Sequence, residues 1–372
     1  MQRTIVDFHV LQTVPPSNIN RDESGSPKTA FFGGARRARV SSQAWKHATR
    51  KEFPHLVDAA KLSKRTLRVV ELVANAILAR DPECPDAENR AAVVMAAAGV
   101  KVAAPKGNKE GTPQSGYLMF VSQAQAERLA ELALDETLDP KELKGLAQGA
   151  LREDQGIDIA LFGRMVADDK SLGVDASCQV AHALSVDAVA PEFDYYTAVD
   201  DLNRDDESGA GMIGTIEFNS STLYRYATLD VDALHATLGD PGATVEAAGA
   251  FLEAFVRSMP TGKQNTFANR TLPEGVVVMV RETQPINLVQ AFEEPVEHTS
   301  TSGRVHVACE RLVQEAQAIV AAYGETPVAT FVLAKGERTA PLRALADPMA
   351  LADLRQAVGS LIAERLAMTS DD

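Results

Sequence analysis

The sequence predicts an α+β protein, one core of strands and helices interrupted by a large helical insertion and a protruding hairpin. Three observations predict it. Strand-like and helix-like segments alternate toward both ends of the chain, the stretch 63–156 is Ala/Leu-rich with helical periodicity, and residues 193–226 carry alternating strand-like ends around an acidic, glycine-rich middle. At 372 residues the chain exceeds an average domain, so a core with at least one further lobe is expected.

Taken in order, residues 5–11 alternate with β-rich side chains and read as a first strand. A glycine-punctuated basic loop is expected over 15–39, and Ser41-Ser42 then offer N-caps for a helix over 42–53. Inside the helical stretch, the polar run 101–116, with its Pro, Gly and Lys residues, reads as a loop. Beyond the hairpin, a helix over 245–258, a strand over 275–281, a helix over 305–322 and a strand over 329–333 restore the α/β alternation. A last helix is expected from Asp347 as cap and Pro348 as first residue to about 368.

The composition is that of a folded protein, with 45% hydrophobic and 24% charged residues. The first residues lead straight into Ile5, Val6 and Asp7 with no apolar signal region, and no apolar run is long enough to span a bilayer, so a cytoplasmic protein is expected. Cys84, Cys178 and Cys309 are an odd number at wide spacing, which argues for buried thiols rather than disulfides or a structural zinc site; no cofactor and no metal is implied. A net charge of −14 repels phosphate on average, but residues 1–70 carry 13 Lys+Arg against 5 Asp+Glu while the rest of the chain is strongly acidic. One concentrated basic region on an acidic protein is the pattern to explain.

The segment Phe31-Phe32-Gly33-Gly34-Ala35-Arg36-Arg37-Ala38-Arg39-Val40-Ser41-Ser42-Gln43-Ala44-Trp45-Lys46-His47 is the most informative. In a helix over 42–53, Gln43, Lys46, His47 and Arg50 fall on one face at i, i+3, i+4 and i+7, while Ala44, Trp45 and Ala48 face the other way. Glycines that admit a close backbone approach, together with a serine-capped helix start, would suit phosphates held without reading a base sequence. An ordinary solvated helix face is the alternative, and Arg21 and Lys28 tilt the balance toward RNA.

Other motifs carry less. Gly209-Ala210-Gly211-Met212-Ile213-Gly214 spells G-x-G-x-x-G, but the dinucleotide fingerprint needs a strand before it and a helix after it, whereas an acidic stretch precedes and a strand-like run follows. Cys178 and His182 sit at i, i+4 of an expected helix, where a buried thiol beside an imidazole is favoured over a nucleophile pair. Asp7 and His9 share one face of the first strand with no recognisable orienting residue nearby, so a satisfied sheet face is preferred to a hydrolytic site. The acids Asp200, Asp201, Asp205, Asp206 and Glu207 suit solvent or a neighbour's basic surface better than a cation. Phe193, Tyr195, Tyr196, Phe218, Tyr224 and Tyr226 crowd the hairpin, most of them expected to root it in the core, though such rings also stack on bases.

At these residues the chain resembles the CasC family, the guide-RNA-binding backbone subunits of the type I-E CRISPR Cascade complex. The resemblance rests on Phe8-His9-Val10-Leu11, Asn20-Arg21-Asp22, Phe32-Gly33-Gly34, the run from Arg36 to Gln43, the run from Gly156 to Met165, Thr197-Ala198-Val199-Asp200-Asp201-Leu202, and Tyr224-Arg225-Tyr226-Ala227. It implies an RRM-like (ferredoxin-like) palm of residues 1–60 and 180–345, helical fingers of 61–180, a thumb β-hairpin of 193–222 and a C-terminal helix of 346–372. It implies a non-catalytic protein that stacks head to tail on crRNA as a hexameric backbone, presents the guide to target DNA, and joins CasA, CasB, CasD and CasE, with no membrane partner. Positions matching the family's RNA contacts are Arg21, Lys28, Ser41, Gln43, Lys46, His47 and Arg50 in the palm, Met165 as an apolar wedge against a base, and Thr197 at the thumb. His47 stands where the family carries a more basic residue, and residues 62–151 depart from the family pattern, so no target-DNA role follows for Lys101, Lys106, Lys109, Lys141 or Lys144. The rival reading is a guide-processing endoribonuclease of the same fold, with Asp7 and His9 the place to look; a scaffold that never touches RNA is a third class.

Overall fold

The computed structural model describes residues 3–108, 111–166, 172–198, 212–297 and 302–370. Strands β1 (Ile5–Ser17), β2 (Thr29–Phe32) and β3 (Ala35–Val40) lead into α1 (Ser42–Glu52). Then come β4 (Ser63–Thr66), α2 (Val69–Arg80), α3 (Ala87–Ala97), β5 (Val102–Ala103), β6 (Gln114–Ser115), β7 (Met119–Ser122), α4 (Gln123–Leu134), α5 (Pro140–Arg152) and α6 (Ile157–Phe162). The chain continues through β8 (Cys178–Val180), β9 (Ala183–Ser185), β10 (Glu192–Ala198), β11 (Met212–Asp230), α7 (Val231–Leu238), α8 (Pro241–Arg257) and α9 (Gln264–Phe267). It ends with β12 (Gly275–Arg281), α10 (Arg304–Tyr323), β13 (Ala329–Ala334) and α11 (Leu351–Ser370). The result is a mixed α/β protein with a large antiparallel sheet, in two compact units: Met1–Glu52 with Val180–Thr228 and Phe251–Asp372, and Phe53–Gln179 with Leu229–Ala250.

In the first unit the sheet runs β13-β12-β1-β11-β9-β3-β2. Inside it, β1 lies between β12 and β11, paired with β12 from Ile5↔Arg281 to Leu11↔Gly275. Because side chains alternate along a strand, Phe8 meets the Phe251 and Phe255 rings of α8 on one face, while Asp7, His9 and Leu11 look to the other, toward Tyr224, Tyr226 and α10. Both faces are buried, which places β1 in the middle of three layers and gives each buried apolar side chain roughly 1.5–3 kcal/mol of burial.

The second unit is mainly helical. Val73, Ile77, Val94, Met95, Leu129 and Leu151 interleave from α2, α3, α4 and α5. Two capping boxes set the helix starts: Ser122 with Gln125 for α4, and Asp139 with Glu142 ahead of Pro140 for α5. Within the same unit α7 packs against α6.

Three expected elements differ. The basic loop over 15–39 contains the end of β1 and the β2–β3 hairpin, because Arg37 points inward and so disguises a strand's alternation as a polar run. Cys178 and His182 do not share a helix: the chain is extended there, Cys178 lies in β8, β9 follows and pairs with β11 and β3, and β8 and β9, at three residues each, are too short to leave a period. The last helix starts at Leu351, since Pro348 is taken up in a parallel bridge to Val332 and the Met349 N–H donates to the Val332 carbonyl. Gly214 lies in β11, a strand where a dinucleotide fingerprint needs a helix, while Gly209, Gly211 and the acids 200–207 fall outside the described residues. All three cysteines are buried thiols, and burial pushes that of Cys309 up to about 12. Among the described residues no helix is long and apolar enough to cross a membrane.

Candidate nucleic-acid interface

Helix α1 is pinned by its apolar side. Trp45, Ala48 and Thr49 are buried, and the Thr49 hydroxyl meets that of Ser258 at 3.3 Å. Beneath Trp45 lies Arg225, its guanidinium 3.7 Å from the Trp45 ring and 4.5 Å from that of Phe255, donating to Gln12 Oε1 at 2.5 Å and to the Phe255 carbonyl. Burial without a carboxylate partner pushes the Arg225 guanidinium down to about 9, which leaves it a cation at neutral pH. With that side fixed, Gln43 and His47 are exposed and Lys46 and Arg50 half-buried on the opposite face, the set the helical spacing predicts.

The helix start is an anchorage, not an open phosphate cradle. The Ser41 N–H donates to Asn20 Oδ1 at 2.9 Å, the Ser42 N–H to His182 Nδ1 at 3.1 Å, and the Ala44 N–H to the buried Ser41 Oγ at 3.3 Å. The glycines are likewise spent on packing. Gly33 and Gly34, at φ +56° and +74°, make the β2–β3 turn, and a Cβ on Gly33 would sit 1.7 Å from the Glu293 carbonyl oxygen. Arg37 closes the same contact, donating to the carbonyls of Ser185, Val186, Phe292 and Glu293 at 3.1, 2.9, 2.9 and 2.7 Å. Of the basic run, Arg37 is thus structural, whereas Arg36 is exposed over the Phe31 ring at 5.8 Å and Arg39 is half-buried.

Asn20 draws the remaining cations together. Its carbonyl accepts the Lys28 N–H at 2.8 Å while its side chain holds Ser41, so the chain on both sides of Arg21 is tied to the start of α1. Asn18 fixes this loop by donating to the Gly25 and Glu217 carbonyls at 2.8 and 2.9 Å. Exposed Arg21 lines a shallow cleft of about 500 Å³ with Asp22, Glu23 and Gly262, and Lys28 lines a neighbouring one; both clefts share Ile19 and Asn20. The Ser24 hydroxyl and nearby N–H groups hold the Asp22 carboxyl below the usual range, so an anion lines the same cleft as Arg21.

The other two predicted contacts lie elsewhere. Thr197 is exposed on β10, opposite Ile213 in the hairpin, on the same strand face as Phe193 and Tyr195, which are 67% and 62% exposed. The rooting role expected of the hairpin aromatics therefore holds for buried Tyr224 and Tyr226, but not for these two. Met165 belongs to the second unit and is 90% exposed. Its neighbour Arg164 is buried, with its guanidinium on the carbonyls of Leu172, Phe120 and Leu151 and pushed down to about 10 by burial, so the turn that presents Met165 is held from below.

Asp7 lies on a satisfied sheet face, whereas His9 is satisfied at Nδ1 alone, its buried Nε2 meeting no hydrogen-bond partner among the described residues. Asp7 accepts from the Tyr226 hydroxyl at 2.8 Å, the Ile286 N–H at 3.0 Å and Arg281 Nε at 3.1 Å, and His9 Nδ1 lies 2.8 Å from the Tyr224 hydroxyl. Both are fully buried, so neither side chain can reach a phosphodiester in this fold. The orienting partners are present after all, but more than two hundred residues away in the chain, where local spacing cannot reveal them. Burial pushes the His9 imidazole down from 6.5 to about 3. Its folded value lies below its unfolded one, so its contribution to stability is complete above pH 6.5 and is lost as pH falls toward 3. His9→Gln is expected to flatten the pH dependence of unfolding in that window by up to about 1.4 kcal/mol per pH unit. Denaturant titrations from pH 4 to 7 check this, and equal slopes for the two proteins would contradict it.

Asn20 and Arg225 are the organising residues that reasoning from spacing missed; both stand in the quoted motifs, but their partners lie far along the chain. Known proteins match this chain over nearly its whole sequence. A family model described as CT1975-like protein (Cas_CT1975) matches residues 6–357. Among solved structures, a chain of a "CRISPR RNA-guided surveillance complex, pre-nicking" is similar at 30% identity over 96% of this chain and 100% of that one, with a TM-score of 0.83. A chain of a second "CRISPR RNA-guided surveillance complex" is similar at 28% identity over 96% and 99%, with a TM-score of 0.63. No curated protein matches. With the family model running from β1 into the last helix, the chain belongs to the CT1975-like protein family.

Proposed function

We propose that this protein is a non-catalytic, CasC-type backbone subunit of a type I-E Cascade, polymerising head to tail along crRNA in the cytoplasm and presenting the guide for pairing with target DNA. The observation that carries this reading is the end-to-end likeness to a chain of an RNA-guided surveillance complex, 96% of one chain on 100% of the other. The strand order β12-β1-β11-β9, with α1 after β1 and α8 between β11 and β12, supports an RRM-like palm of β-α-β-β-α-β order. In this reading the second unit supplies the fingers and the β10–β11 hairpin the thumb, and copies of the chain form a hexameric backbone joined by CasA, CasB, CasD and CasE. Arg21, Lys28, Gln43, Lys46, His47 and Arg50 engage the RNA backbone, Ser41 acts by fixing α1, Met165 wedges against a base and Thr197 contacts RNA from the thumb. The burial of Asp7 and His9 favours this reading over an endoribonuclease that would use those two side chains.

Purified with its genomic neighbours, the protein is expected to yield guide-length RNA on extraction and to leave repeat RNA uncleaved. Binding to single-stranded RNA of unrelated sequences is expected to be of similar strength and to weaken with salt, with a log–log slope of about −0.7 per phosphate engaged. Protein free of nucleic acid, or a flat salt response in filter binding, overturns the reading.

A further inference from the structure

Between α1 and the segment that follows α8 lies a cleft of about 390 Å³, within the range of pockets that hold small molecules. Its apolar wall is made by Ala44 and Ala48 of α1 with the buried Met259 and Pro260. Its rim carries the cations Lys51 and Arg270 together with the His47 imidazole, all exposed. The one carboxylate lining it is that of half-buried Glu52, whose Oε2 is 3.9 Å from the exposed Arg270 Nη2, a loose pair at the limit of an ion-pair distance that contributes little. An apolar wall open to water inside a cationic rim fits a ligand with a flat apolar body and an anionic margin, which is the chemistry of a nucleotide. The cleft is continuous with the cationic face of α1, since His47 belongs to both.

Resting on the RNA-binding reading above, we propose that this cleft receives one unstacked base of the bound strand, seated against Met259 and Pro260, with Lys51 and Arg270 pairing with the flanking phosphates. His47, at the edge shared by the cleft and the α1 face, then also offers a stacking surface, a task for which a flat imidazole is better shaped than a lysine ammonium. Arg270, far from the basic N-terminal region in sequence, becomes part of the same polyanion track.

Two experiments on the full chain test this. Single-stranded RNA carrying 4-thiouridine is expected to cross-link, under ultraviolet light, to the peptides that hold residues 44–52 and 258–261. Thr261→Trp, made at an exposed rim position to fill the cleft, is expected to lower affinity for a uridine homopolymer by about tenfold, in line with the loss of one stacked base, and to leave affinity for an abasic oligonucleotide of equal length unchanged. Cross-links confined to other segments, or a Thr261→Trp protein with wild-type preference for the intact strand, overturn the proposal. A wild-type protein that binds neither oligonucleotide overturns instead the RNA-binding reading on which it rests.

Discussion

The double substitution Lys46→Glu with Arg50→Glu is expected to abolish recovery of guide RNA with the purified protein while leaving the protomer folded. Both side chains stand on the face of α1 opposite Trp45, Ala48 and Thr49, so the packing of those three buried residues is untouched. The folded state loses the favourable placement of Arg50 in the last helical turn, about 0.3–1 kcal/mol, and whatever ion pairing the two cations make at the surface, of similar size. Binding loses far more. Two cations become two anions beside a polyphosphate, which is expected to reduce affinity on the order of 100-fold or more at physiological salt and to shrink the log–log salt slope by about 1.4. Filter binding reads the affinity, and thermal unfolding of the apo protein reads the fold. RNA recovered at the wild-type level would remove α1 from the interface.

Asp7→Ala is expected to be among the most destabilising single substitutions, at about 3–5 kcal/mol, because it strands a buried cation. Arg281 has a side-chain exposure of 3% and Asp7 is its ion-pair partner at 3.1 Å; the Tyr226 hydroxyl and Ile286 N–H lose the same acceptor. Burial pushes the Asp7 carboxyl up, against the pull of Ile286, Tyr226 and Arg281. The pair therefore costs much to bury and more to break. Replacing both members, Asp7→Ala with Arg281→Met, is expected to recover a large part of the loss, since an apolar pair leaves no unpaired charge. Denaturant unfolding of the three variants, read on the transition of the unit that contains β1, measures it. A double variant no more stable than Asp7→Ala would show that the network, and not the stranded charge, holds β1 to β12.

The elements legible in the sequence were those whose environment matches their period. The strand 275–281 is buried throughout, the helix Arg304–Tyr323 keeps one apolar stripe, and the helix Ser42–Glu52 separates Gln43, Lys46, His47 and Arg50 from Trp45 and Ala48. The β2–β3 hairpin was hidden because an inward arginine is solvated by four carbonyls that the fold alone supplies. For the same reason Gly33 and Gly34 looked like a phosphate loop, whereas one of them is demanded by a carbonyl 260 positions away, that of Glu293.

By itself the sequence determined which cations exist and how those on one helix are spaced, since a 3.6-residue period needs no partner to be expressed. The tertiary structure decided which of them remain at the surface. It withdrew Arg37 into a ring of carbonyls, set Arg225 under Trp45, joined Arg21 and Lys28 to α1 through Asn20, and brought Arg270 beside His47 and Lys51. Burial and hydrogen-bond partnership are properties of contacts made across hundreds of residues, and no local pattern encodes them.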